Sequence, residues 1–64
     1  MYSNKIKQVR ESKGITLSKL SQLTGISSGY LCHLEKGSRK NPSIVVMNKI
    51  SDALNKSITE IFFE

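Results

Sequence analysis

The chain has a single cysteine, Cys32. It cannot form an internal disulfide, so the fold must stand on its core alone. That usage suits a reducing compartment. Long apolar runs are also missing. The longest are Ile44-Val45-Val46-Met47 and Ile61-Phe62-Phe63, far short of the roughly 20 residues a membrane span needs. The opening Met1-Tyr2-Ser3-Asn4-Lys5 lacks the apolar stretch of a secretory signal. A soluble, cytoplasmic protein is expected, with no membrane partner. Catalytic constellations are lacking as well. The only histidine and the only cysteine are neighbours, His33 and Cys32, which points them about 100° apart on a helix. No second pair completes a zinc site, no nucleophile, base and orienter occur together, and no glycine-rich loop cradles a phosphate. Neither an enzyme nor a metal or cofactor site is expected. Repeats, linkers and low-complexity tracts are absent, and 64 residues suffice for one small domain over 1–64.

Acidic residues are scarce. Five face ten basic ones, for a net charge of +5. Eight of the ten basic residues lie in positions 1–40, where the only acids are Glu11 and Glu35. Positions 41–64 balance Lys49 and Lys56 against Asp52, Glu60 and Glu64. A basic two-thirds joined to a near-neutral end suggests that one part meets a polyanion and the other does something else. The same net charge also falls in the ordinary range for a solvated surface.

What is present is helical punctuation. Gly14, Gly25, Gly37, Asn41-Pro42 and Asn55 divide the chain, and between them the apolar residues recur at helical rather than alternating spacing. Five short helices are predicted. The first spans about 3–13, carries Ile6 and Val9, and stops at Gly14. The second spans about 17–24, with Thr16 as cap and Leu17, Leu20 and Leu23 as its apolar residues. The third spans about 28–36, capped by Ser27, with Leu31 and Leu34 inward and Gly37 at its end. The fourth follows Pro42-Ser43, carries Ile44, Met47, Ile50 and Leu54, and ends at Asn55. The last is opened by the capping box Ser57-Ile58-Thr59-Glu60 and carries Ile58, Ile61 and Phe62.

The second and third helices form the informative pair. Two short helices that cross steeply need a small residue at their approach, which Ser21 supplies. They also need a turn residue that accepts positive φ, which Gly25 supplies. Ile26, Leu31 and Leu34 then pin the third helix by its inner face. This is a helix-turn-helix over about 17–36, whose second helix is free to enter a major groove. An ordinary αα-turn in a small bundle has the same outline, but the matching positions and the charge asymmetry together favour DNA.

The residues in this order resemble the Cro/CI-type (XRE) helix-turn-helix family of regulators. The resemblance runs from about 6 to 62. It is carried by Ile6-Lys7-Gln8-Val9-Arg10, Lys13-Gly14-Ile15-Thr16-Leu17, Leu20-Ser21-Gln22-Leu23-Thr24-Gly25-Ile26-Ser27, Tyr30-Leu31-Cys32-His33-Leu34-Glu35-Lys36-Gly37 and Asn41-Pro42-Ser43-Ile44. The Tyr30-Leu31 and Asn-Pro-Ser-Ile pieces look most like the SinR-type branch. The resemblance implies an all-α, compact five-helix, lambda-repressor-like domain that binds double-stranded operator DNA as a dimer. It also implies base contacts from Ser28, Gly29, Cys32 and His33, near the start of the third helix and one turn on. Gly29 departs from the long polar residue often found there. The resemblance further implies a partly buried ion pair between Arg10 and Glu35.

Phosphate contacts are expected where a helix N-terminus or a cation faces outward. The candidates are Thr16, Ser18 and Lys19 at the second helix, Ser27 and Tyr30 through their hydroxyls, and Lys36. The loop residues Ser38, Arg39, Lys40 and Asn41 complete them. The other end holds more apolar surface than a two-turn helix can hide, so a homodimer interface is expected from Val46, Ile58, Ile61, Phe62 and Phe63, with one phenylalanine closing the monomer core. A transcriptional regulator, most simply a repressor, is the resulting expectation, open to a protein antagonist. The alternative is an antitoxin-like or adaptor subunit whose main specific partner is a protein.

Overall fold

The computed structural model describes residues 4–37 and 42–63, which form five helices and, among the described residues, no strand. They are α1 (Ile6–Ser12), α2 (Leu17–Thr24), α3 (Ser28–Glu35), α4 (Ile44–Leu54) and α5 (Ile58–Phe62). None is long and apolar enough to cross a membrane.

Local chemistry sets most boundaries. The hydroxyls of Thr16, Ser27, Ser43 and Ser57 each accept from the backbone N–H three residues on, satisfying a donor that the first turn of a helix leaves free. Ser57 and Glu60 complete a reciprocal capping box. The Ser57 amide, and then its hydroxyl, hold the exposed Glu60 carboxyl below its ordinary value. Two helices end on left-handed residues, α2 at Gly25 (φ 74°) and α4 at Asn55 (φ 57°).

Burial follows the helical stripe. Ile6, Leu20, Leu31, Leu34, Met47, Ile50, Leu54, Ile61 and Phe62 form one core. Helix α4 is central: α1, α2 and α5 all pack on it, while α3 packs on α1 and α2. The N-terminal segment is pinned at two points. The Lys5 amide donates to the Ile61 carbonyl at 2.9 Å, and Asn4 Nδ2 donates to the Leu34 carbonyl at 2.9 Å.

Four expectations about burial are corrected. Leu23 is 51% exposed, and Thr24, one position on, is buried in its place. Its hydroxyl donates to the Leu20 carbonyl, which makes burial affordable. Ile44 is also exposed, because the buried stripe of α4 begins one turn later at Met47. Ile61 and Phe62 are buried within the monomer and do not present an interface, since α5 turns both onto α1 and α4. Phe63, just past the helix, stays exposed.

Two outcomes are expected. The buried Ser51 Oγ has no hydrogen-bond partner among the described residues. Ser51→Ala should therefore raise stability by roughly 1 kcal/mol in urea unfolding, through helix propensity and the removed hydroxyl. The lowered Glu60 pKa means that the unfolded chain takes up this proton first on acidification. The stabilising contribution is present at neutral pH and is lost as pH falls through the folded-state value, below the ordinary 4.5. Comparing unfolding of the parent and Glu60→Gln across pH 3 to 7 should show the smaller acid loss in the variant.

Candidate nucleic-acid interface

The presentation of α3 begins in the turn before it. The Gly25 amide donates to the Ser21 carbonyl at 2.8 Å, and the left-handed backbone of Gly25 turns the chain. The Ile26 amide donates to Thr24 Oγ1 at 3.1 Å, and Ser21 Oγ donates to the Ile26 carbonyl at 2.6 Å. Two hydroxyls on α2 thus bind both backbone groups of Ile26. The sequence shows Ser21 as a small residue at the approach, but these bonds give it and Thr24 a second role as the fastening of the turn. Thr24 is legible only as a polar residue one step from the apolar stripe.

The far end of α3 is held by charge. Arg10 and Glu35 form a two-point ion pair: Nε donates to Oε2 at 2.7 Å and Nη2 to Oε1 at 3.2 Å. Arg10 Nη1 also donates to the Ile15 carbonyl at 2.8 Å. The two side chains are only 10% and 6% exposed. The hydrogen bond to Glu35 raises the Arg10 pKa above its ordinary value, against a smaller opposing effect of burial. Asn4 caps the Leu34 carbonyl in the same region. Its role depends on contact across the fold, and no local pattern announces it.

With Leu31 and Leu34 fully buried, the opposite side of α3 faces outward. Ser28, Gly29, His33 and Lys36 are exposed, and Cys32 is half-buried. Tyr30 is half-buried and packs against the core. On α2, Thr16, Ser18 and Lys19 are exposed while Leu17 leans on the core. The hydroxyls of Thr16 and Ser27 accept as caps, which leaves each hydroxyl proton able to donate outward. Ser38, Arg39, Lys40 and Asn41 lie outside the described residues. At the other end, Val46 and Ile58 are half-buried against the core and Phe63 is exposed.

The electrostatics are one-sided. Glu35 is the only acid between positions 12 and 51, and it is turned inward onto Arg10. Every described charge exposed in that stretch is therefore positive: Lys13, Lys19, Lys36 and Lys49. Neither α2 nor α3 has an acid in its first turn, so the positive ends of both helix dipoles are uncompensated. A polyanion meets cations, hydroxyls and helix N-termini here, and no exposed carboxylate in that stretch.

Residues 6–61 match the Helix-turn-helix family model HTH_3. The HTH-type transcriptional regulator SinR of Bacillus subtilis is 36% identical over 64 residues, which is 100% of this chain and 58% of SinR. The chain thus spans less than two thirds of that relative's length. Two solved structures are similar in fold and sequence. SinR in complex with DNA has a TM-score of 0.80 and 39% identity, covering 84% of this chain and 86% of that one. A SinR–SinI protein complex has a TM-score of 0.81 and 38% identity, covering 86% and 53%.

The ion pair generates a prediction. Glu35→Ala strands a buried guanidinium and should cost about 3–5 kcal/mol. That is most of the stability available to a domain of this size, roughly 0.05–0.15 kcal/mol per residue. Circular dichroism should show a largely unfolded variant at 37 °C. The double variant Arg10→Met, Glu35→Leu, which buries no charge, should recover helicity.

Proposed function

The chain belongs to the Helix-turn-helix family HTH_3, and from that membership we propose that it is a sequence-specific regulator of transcription that places α3 in the major groove of double-stranded DNA. The observation that carries this reading is the two-sidedness of α3. Leu31 and Leu34 lock one face to the core, and the other presents Ser28, Gly29, Cys32 and His33 on a helix whose one acid, Glu35, is turned inward. The relative solved with DNA supports the same reading.

The contacts divide by chemistry. Ser28 and His33 carry groups that donate to or accept from base edges, and Cys32 is a small, weakly polar neighbour. Thr16, Ser18, Lys19, Ser27, Tyr30 and Lys36 are the phosphate contacts, to which the loop residues Ser38, Arg39, Lys40 and Asn41 add two cations and two polar groups. Arg10 and Glu35 touch no DNA; they fix the angle of α3. The protein acts as a repressor by occupying its site.

A homodimer would span an inverted repeat with half-sites about 34 Å apart. The exposed Phe63 and the half-buried Val46 and Ile58 are the residues for that contact. A second reading has support of its own. The exposed Ile44, Val45 and Phe63 suit a protein partner, and a relative has been solved in a complex with a protein. In that reading a protein antagonist competes with operator binding, or the protein is the main partner.

Selection from random duplexes, followed by titration at two salt concentrations, tests the proposal. The expected result is an enriched inverted repeat bound more weakly in high salt. His33→Ala should then lose about 10- to 100-fold and relax preference at one base step. Lys36→Ala should weaken all sequences alike and flatten the salt dependence. Absence of any enriched sequence would overturn DNA readout in favour of the protein partner.

A further inference from the structure

Gly29 is a glycine that the fold does not require. Gly25 takes a left-handed φ of 74° that other residues resist. Gly29 is different: it is the second residue of α3, in helical backbone, and exposed. A Cβ built on it meets nothing within 4 Å. Neither backbone conformation nor close packing therefore accounts for it. Glycine in a helix is less stable than alanine at the same position, and no contact among the described residues offsets that loss. An external surface that approaches α3 closely at this point would do so.

Its neighbours indicate which group approaches. On a helix, Gly29 shares a face with Cys32 and His33, three and four residues on. Cys32 is half-buried and His33 exposed. Helical spacing thus sets a row on one face: the bare Cα of Gly29, then the small Cys32 and the imidazole-bearing His33. Its first two members are apolar or weakly polar, among residues that otherwise carry hydroxyl, imidazole and ammonium groups. Among the groups that base pairs display in the major groove, the C5-methyl of thymine is the apolar one.

We propose that Gly29 is a specificity-determining residue, whose missing side chain opens a notch on α3 for a thymine methyl. The inference rests on the reading of α3 as the groove-entering helix and deepens it. Recognition at this step comes from fit in place of a hydrogen bond. The helix also seats closer to the bases than any side chain at this position would allow, which brings the short side chains of Ser28 and Cys32 within reach of base edges.

The experiment pairs Gly29→Ala with operators in which each thymine in turn is replaced by deoxyuridine, which lacks the methyl. The parent protein should lose about fourfold at one thymine per half-site, the value of one buried methyl-sized group. Gly29→Ala should melt at the same temperature or higher. It should bind the thymine operator about tenfold more weakly, as overpacking dictates. On the deoxyuridine operator it should recover towards the parent, because the added methyl occupies the space the base has vacated. Full-strength binding of the thymine operator by Gly29→Ala would overturn the proposal, as would a loss that no deoxyuridine position relieves. Both results leave α3 as the reading helix. If the parent protein selects no operator at all, the reading of α3 and this inference fall together.

Discussion

The guanidinium of Arg10 joins three parts of the molecule that would otherwise be free to shift. It lies on α1, binds the carboxylate of Glu35 at the end of α3, and binds the carbonyl of Ile15 in the loop that leads to α2. A core of nine apolar side chains excludes water but is poor at fixing angles, because hydrophobic burial is non-directional. A two-point ion pair between a planar guanidinium and a carboxylate is directional. The orientation of α3 relative to α1 and α2 therefore depends on one charged pair. That pair also turns inward the one acid between positions 12 and 51.

The same division of labour recurs at the other end of α3. There the orienting groups are neutral: the hydroxyls of Ser21 and Thr24 fasten both backbone groups of Ile26, and Ser27 caps the helix itself. Helix α3 is thus gripped at its start by hydroxyls and at its finish by charge, while Leu31 and Leu34 hold its middle. Its outward residues are consequently free of structural duty. An exposed glycine in that row stands out, because the scaffold gives no reason for it.

Elements whose ends are written in local chemistry are legible without coordinates. The caps at Thr16, Ser27, Ser43 and Ser57 and the stops at Gly25 and Asn55 each depend on residues within one turn, and α2 to α5 follow from them. The ambiguous places are those where two neighbouring residues compete for one inward position. Between Leu23 and Thr24, hydrophobicity favours the leucine, yet three-residue and four-residue steps from Leu20 are equally helical, and the hydrogen-bonded threonine takes the position. Between Phe62 and Phe63, the apolar pattern is silent, and only the packing of α5 on α1 and α4 assigns the inner place to Phe62. Asn4 is illegible for another reason: its partner carbonyl is thirty residues away. Of the interface, the outer row of α3 and the first turn of α2 can be read from spacing, whereas the inward turn of Glu35 rests on geometry between elements.

The bond from the Lys5 amide to the Ile61 carbonyl has a consequence for the order of assembly. Helices α2 and α3 are joined by a short turn and pack on each other, a contact that forms early because short loops cost little to close. The Lys5–Ile61 bond instead closes a ring through nearly the whole domain. Until residues 58–62 have left the ribosome, the faces of α1 and α4 that α5 covers remain wet, and Ile61 and Phe62 have nowhere to dock. The segment around Lys5 therefore waits for residues 58–62. A nascent chain that already contains α2 and α3 is still an unfinished domain, because its core between α1 and α4 is closed only after α5 has been synthesised.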